Sequence, residues 1–265
     1  MRWIRLSLGP SPSCQVICAI AGLMVAMAAS AQSPVAFNRD VIVLDPAHGG
    51  TDGGARINDH LEEKDVTLAI AARVRSLLAV RGFTVVSTRQ DDLAARSGAP
   101  LSSDQRAEAA NRVRAVACLV LHASASGNGV YLGVSAIGSP LAAVPKNVGK
   151  ASAAANMGVS WDRAQEVYIP QSLALANQIG TALSRANLPL AMGRVALRPL
   201  DNLMCPALSV EIGPLRGDGS DLTPVSDDEY QQRVADAIAG ALIFWKNQAQ
   251  PPSYAAPSVS AGPGL

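Results

Sequence analysis

The chain has 265 residues, 49% hydrophobic and 16% charged, enough apolar material for the core of one domain with appendages. Aromatic residues are only 4% of the chain and the formal net charge is +1. These values exclude a base-stacking platform and a polyanion-binding surface, so no nucleic-acid partner is expected.

Arg2 and Arg5 give a positive start, Val16 to Ala29 is continuously apolar or small, and Ala29-Ser30-Ala31 precedes Gln32. That order is the signature of a secretory signal peptide over residues 1–31, too short in its apolar run for a comfortable membrane span. An uncleaved anchor is the alternative. A chain beginning at Gln32 loses Arg2 and Arg5, its only charges before that point, and carries −1.

Residues 32–39 read as a leader. Val41-Ile42-Val43-Leu44 is a β-branched apolar run that stops at Asp45-Pro46, a buried strand whose end delivers His48 into a turn. In open α/β sheets ligands bind at that edge. Residues 49–62 read as a polar, glycine-rich loop. Val66, Ile70, Val74, Leu77 and Leu78 then fall at helical spacing, with Glu63 in the first turn, where a carboxylate suits the helix dipole, and Gly82 as the stop. Phe83 to Thr88 reads as a second strand, and Gln90 to Leu101 as a polar connection. Ser102 and Gln105 have capping-box spacing for a helix running to about Arg114. Val116 to Leu121 is a third strand, ending at His122. Val130-Tyr131-Leu132 reads as an edge strand.

Residues 137–170 are rich in Pro, Gly, Ala, Ser and Asn and read as an insertion, a lid or a passive loop, with one short helix around Trp161 to Val167. Ser172 to Ala186 is helical. Ala207 to Val210 is a strand leading into Glu211 and Gly213. Ser226 and Glu229 form a second capping box, and Tyr230, Val234, Ile238, Ala241 and Trp245 line the last helix. Residues 249–265 have no core-forming pattern and read as a disordered tail. Strands alternating with helices predict an α/β fold, a single domain over 40–248 with a mixed, mostly parallel central sheet flanked by helices on both faces. Cys118 and Cys205 sit in apolar surroundings. Two buried free thiols are the simpler reading, and one disulfide is the alternative in an oxidising compartment.

Three strand ends therefore carry His48, His122 and Glu211, and Glu63 opens a helix. Two imidazoles and one carboxylate are a zinc ligand set that leaves a position for water. A second carboxylate beside that position can take the water's proton and return it to a leaving amine. His60 has i,i+3 spacing to Glu63 and is a competing ligand, but it precedes the helix in a polar loop.

Asp45-Pro-Ala-His48-Gly-Gly, the Gly-Gly-Ala segment, Glu63-Lys64, Thr88-Arg89, Arg106 with Ala110-Asn111, Leu121-His122-Ala123 and Pro206-Ala-Leu-Ser-Val-Glu211-Ile-Gly213 occur in one order. That ordered set resembles the zinc-dependent N-acetylmuramoyl-L-alanine amidases, bacterial cell-wall amidases of the AmiC type, over roughly residues 40–246. The resemblance implies one Zn2+ held by His48, Glu63 and His122, with Lys64 setting the register on Glu63 rather than Glu62. It implies Glu211 as the catalytic glutamate and an α/β fold. The implied reaction cuts the amide between N-acetylmuramic acid and L-alanine of the peptidoglycan stem peptide, in the periplasm or cell envelope. A monomer is expected, and a protein activator remains an open partner.

Ala47 stands where the family usually has glycine, so the turn before His48 must tolerate a Cβ. Val120, Ser124 and Pro214 also depart from the pattern and bear on the shape of the groove. They motivate the alternative of a non-catalytic peptidoglycan-binding protein that keeps the fold. Asp45 has two readings, orienting an imidazole or capping its turn. Arg89, Arg106, Asn111 and Arg198 would stabilise the structure, with binding of substrate carboxylates as the alternative. A nucleotide-binding reading fails, because neither GxGxxG nor GxxxxGK[ST] follows the first strand.

Overall fold

The computed structural model describes residues 38–92, 99–138, 161–217 and 221–248; the expected signal segment, most of the 137–170 insertion and the tail lie outside the described residues. Strand β1 (Asn38–Pro46) is apolar on both faces, and its alternation divides the core in two. Ile42 and Leu44 join one buried cluster, Val41 and Val43 another. A strand buried on both faces belongs in the middle of a helix-covered sheet.

The sheet has six strands. From one edge these are β4 (Thr84–Ser87), β1, β5 (Ala115–Ala123), β8 (Ala207–Ile212), β6 (Val130–Ser135) and β7 (Leu190–Val195). The first four run parallel; β6 pairs antiparallel to β8, and β7 runs parallel to β6. On one face lie three long helices, α1 (Glu63–Ala79), α3 (Ile169–Arg185) and α4 (Asp228–Trp245), with α4 touching both others. Val66, Ile70, Ile179, Leu183, Val234 and Ile238 fill this side without solvent exposure above 1%. Each such side chain contributes about 1.5–3 kcal/mol of apolar burial. The other face is thinner. It is covered by α2 (Ser103–Asn111) through Ala107 and Ala110, and by a loop through Leu200 and Leu203. The predicted fold class is the one observed.

Several local expectations change. Val130–Leu132 is an interior strand, because β7 pairs along its outer side. β7 carries Gly193 and Arg194 and is half exposed, so its apolar pattern is weak in sequence. The 49–62 loop contains a small hairpin, β2 (Arg56–Asn58) with β3 (Leu61–Glu62). The Ser102–Gln105 capping box forms in both directions, but its helix stops at Asn111. The α4 cap is Asp227, whose carboxylate accepts from the Tyr230 amide at 2.8 Å, rather than Ser226. The short helix near Trp161 is present as a 3-10 segment, Trp161–Tyr168, and α3 begins at once behind it.

The free-thiol reading is overturned. Cys118 on β5 and Cys205 in the loop before β8 form a disulfide, with Cα atoms 6.2 Å apart. It ties the thin face's cover to the sheet four positions before His122. A cross-link spanning 87 residues removes much chain entropy from the unfolded state. Replacing both cysteines by alanine is expected to lower stability by about 4 kcal/mol, read as a reduced urea midpoint against the oxidised parent.

Candidate metal centre

The chain leaves β1 to form β4 on one side, then returns to form β5 on the other. The carboxyl ends of β1 and β5 therefore diverge into a crevice at the point where strand order reverses, the usual ligand position in open α/β sheets. His48 lies two residues beyond β1, His122 near the end of β5, and Glu63 at the first residue of α1.

Glu63 is the hub. Its Oε1 accepts from His122 Nδ1 at 2.9 Å and from the Ala123 amide at 3.1 Å. Its Oε2 accepts from the Ala55 amide at 2.9 Å and lies 3.2 Å from His48 Nε2. Burial alone would raise this carboxyl's pKa, but the two imidazoles and two amides together hold it well below the ordinary glutamate range. His48 shifts up: its hydrogen bond with Glu63 outweighs desolvation, and Asp52 adds to it. Among the described residues, His48, Glu63 and His122 place donor atoms within 4.8 Å of one another. Two imidazoles against one ionised carboxylate are a donor set that suits a divalent cation of zinc type. His122 Nε2 is buried with no hydrogen-bond partner.

Glu211 is the register partner of His122 across β5 and β8, and of Tyr131 across β8 and β6. It is solvent-exposed near the end of an otherwise buried strand. Alternation turns it to the thin face, where it borders a cavity of about 380 Å3 together with Glu63, His122, Ser124, Tyr131 and Leu197. Ser124 also bonds Ser126 Oγ at 3.1 Å.

The competing ligands fall away. His60 is exposed in the β2–β3 turn, and Glu62 is exposed at the helix start, its amide bonded to Asp65 Oδ2 at 3.1 Å. Asp45 does not orient an imidazole; it pairs with Arg106 at 2.7 Å and accepts a hydrogen bond from Thr88. Asp52 holds His48 instead, with Oδ2 2.9 Å from Nδ1. Its signal was the four-residue spacing to His48 within a glycine-rich turn. Ala47 needs no glycine-like backbone, because the left-handed φ of 62° falls on His48. Arg89 and Arg106 are buried and bond backbone carbonyls, the structural reading of the two. Asn111 bonds the Asn202 carbonyl and the Met204 amide, joining α2 to the thin-face loop. Arg198 is exposed.

The N-acetylmuramoyl-L-alanine amidase family matches residues 42–243, the whole span from β1 to α4. The chain belongs to that family. A germination-specific N-acetylmuramoyl-L-alanine amidase of Bacillus subtilis (strain 168) is 30% identical over 221 residues, covering 80% of this chain and 82% of that protein. AmiC2 of Nostoc punctiforme shares the fold with a TM-score of 0.55 at 22% identity, over 80% of this chain and 99% of that one. The CwlD amidase from Clostridioides difficile, solved in complex with the GerS lipoprotein, does so at 0.50 and 21% identity, over 79% and 99%.

Gly54 shows how tightly the centre is closed in this amidase. Its φ is +70°, and a Cβ there would lie 2.6 Å from the His48 ring and 2.7 Å from Glu63 Oε2. Gly54→Ala is expected to destabilise the chain by more than about 1 kcal/mol and to separate His48 from Glu63. Gly240→Ala, in open space on α4, is expected to stabilise by about 0.5–1 kcal/mol. Parallel urea titrations of the two variants check both signs.

Proposed function

We propose that this chain is a zinc-dependent peptidoglycan hydrolase that cuts the amide between N-acetylmuramic acid and the L-alanine of the stem peptide. The observation that carries the reading is the convergence of His48 and His122 on the Glu63 carboxylate, with Glu211 beside His122 at the same cavity. In this proposal His48, Glu63 and His122 hold one Zn2+. A bound zinc ion lowers the pKa of its water toward about 7 and polarises a carbonyl oxygen.

The chain's own groups supply the rest. The carboxylate of Glu63 stays ionised, since hydrogen bonds from the Ala55 and Ala123 amides and from His122 favour its charged form, and so offers charge to a cation. Asp52 accepts a hydrogen bond from His48 Nδ1–H, the tautomer that leaves the Nε2 lone pair available to a cation. Glu211 accepts a proton from the attacking water and delivers it to the departing nitrogen. An amine anion is a very poor leaving group, so amide cleavage needs that transfer. The exposure of Glu211 at the cavity mouth suits a base that must meet both water and substrate.

Export to the cell envelope is part of the same reading. It rests on the signal-like residues 1–31 and agrees with a disulfide, which persists in oxidising compartments. Among the described residues no helix is long and apolar enough to cross a membrane. The same reading takes 40–248 as the catalytic unit, with the family match over residues 42–243 in its support. CwlD's complex with GerS supports keeping a protein activator among the partners to test.

Mature protein incubated with sacculi should release stem peptides, and EDTA should abolish the release. Glu211→Gln should retain one Zn2+ by elemental analysis and lose about 100- to 10,000-fold in kcat. Full activity in Glu211→Gln would refute the assigned base, and tight sacculus binding without turnover in the zinc-loaded parent would favour a binding protein.

A further inference from the structure

The turn that carries His48 is held by two buried arginines whose reach matches its carbonyls one by one. Arg106, on α2, donates from Nη1 to Asp45 Oδ1 at 2.7 Å and to the Pro46 carbonyl at 2.9 Å, and from Nη2 to the His48 carbonyl at 2.6 Å. Arg89, just beyond β4, donates from Nε to the Pro46 carbonyl at 3.0 Å and from Nη2 to the Ala47 carbonyl at 2.9 Å. The same Nη2 reaches the Lys64 carbonyl at 2.7 Å and Thr67 Oγ1 at 3.1 Å, both on the first turns of α1. Thr67 closes the loop by donating to the Ala47 carbonyl at 3.1 Å. Three consecutive carbonyls, 46 to 48, therefore all end on guanidinium groups.

Two features make this more than ordinary packing. First, His48 is a non-glycine residue at a φ of 62°, a conformation that costs a side-chain-bearing residue roughly 1–2 kcal/mol and persists only where its surroundings fix it. Arg106 fixes it by holding the carbonyl that follows. Second, Arg89 spans two separate elements, the His48 turn and the start of α1, where Glu63 sits next to Lys64. One planar group therefore bonds the backbones on both sides of the 3.2 Å contact between His48 Nε2 and Glu63 Oε2, the two proposed ligands. Both arginines are 5% exposed or less, and two cations share this space with the buried carboxylate of Asp45, which pairs with Arg106. Placing like charges together in the interior is unfavourable unless their hydrogen bonds are used.

We infer that Arg89 and Arg106 are positioning residues for the metal centre: Arg106 holds His48 in its left-handed conformation, and Arg89 fixes the His48 turn against the α1 end that bears Glu63. The inference rests on the zinc reading for its functional consequence and on the backbone contacts for its geometry. Lysine in either position keeps the charge but offers one ammonium in place of a rigid fork, and it cannot span the acceptors that the guanidinium bridges.

The test compares Arg106→Lys, Arg89→Lys and Gln165→Leu in the full mature chain. Gln165 is the control: it is fully buried and clamps the Leu203 and Cys205 carbonyls, both at 2.7 Å, in a different segment. Affinity for Zn2+ is measured by chelator competition, and the stability of the metal-free protein by urea. The lysine variants should bind Zn2+ about 10- to 100-fold more weakly than the parent, the range for losing a group that orients a ligand. Gln165→Leu should bind Zn2+ like the parent even where its stability loss is as large. Parental Zn2+ affinity in both lysine variants overturns the inference, as does an equal loss in the Gln165 control. If one lysine variant does not fold, the other decides. If the parent itself binds no Zn2+, the zinc reading fails separately, and crystal structures of the metal-free variants decide the positioning. His48 leaving its left-handed φ, or moving off Glu63, supports it; an unchanged turn refutes it.

Discussion

A carboxylate taken out of water costs several kcal/mol unless every lone pair is used, and this fold is arranged around meeting that demand at Glu63. The side chain is only 7% exposed. Its four partners come from three parts of the chain: the Ala55 amide before the small hairpin, His122 and the Ala123 amide at the end of β5, and His48 beyond β1. None of these partners is local in the sense of a helix cap. The site therefore exists only when β1 and β5 lie side by side in register and α1 starts at the height of their carboxyl ends.

That dependence explains the asymmetry of the two faces. Three long helices bury the side of the sheet bearing Ile42, Leu44, Leu119 and Leu121. They give the strands a rigid backing, with the Trp245 indole bonded to the Val116 carbonyl and the Tyr230 hydroxyl to the Gly213 carbonyl. The other side needs an opening, because His122, Glu211 and Tyr131 all turn that way from adjacent strands. Among the described residues a short helix and a loop cover the rest of it, and the disulfide ties that lighter cover to β5. Rigidity on one face and access on the other follow from a single sheet having to serve both.

The His48 turn is the second consequence. An imidazole reaching back over the strand end toward α1 requires a sharp reversal, and the chain takes it at the histidine itself rather than at Ala47. The cost of that backbone conformation is met by contacts from β4's end and from α2, elements distant in sequence. Gly54 then passes so close to the His48 ring that no side chain fits between them. Ligand, turn and neighbouring loop form one closely packed unit.

By itself, the sequence determined what depends on short-range pattern. The β-branched runs at 41–44 and 116–121 specified buried strands, the helical spacing from Glu63 specified α1, and the ordered motifs marked the family and singled out His48, Glu63, His122 and Glu211 as candidates. Periodicity and residue chemistry are local properties, so they survive in one dimension. Tertiary structure alone decided the rest. It made Val130–Leu132 an interior strand by adding the weakly patterned β7. It joined Cys118 to Cys205, whose apolar neighbours suited free thiols equally well. It gave Asp52 the contact to His48 that Asp45 was a candidate for, and it turned Arg89 and Arg106 inward onto backbone carbonyls. Each of these depends on which distant groups come within about 3 Å, a distance fixed by strand order and register rather than by the identity of any one residue.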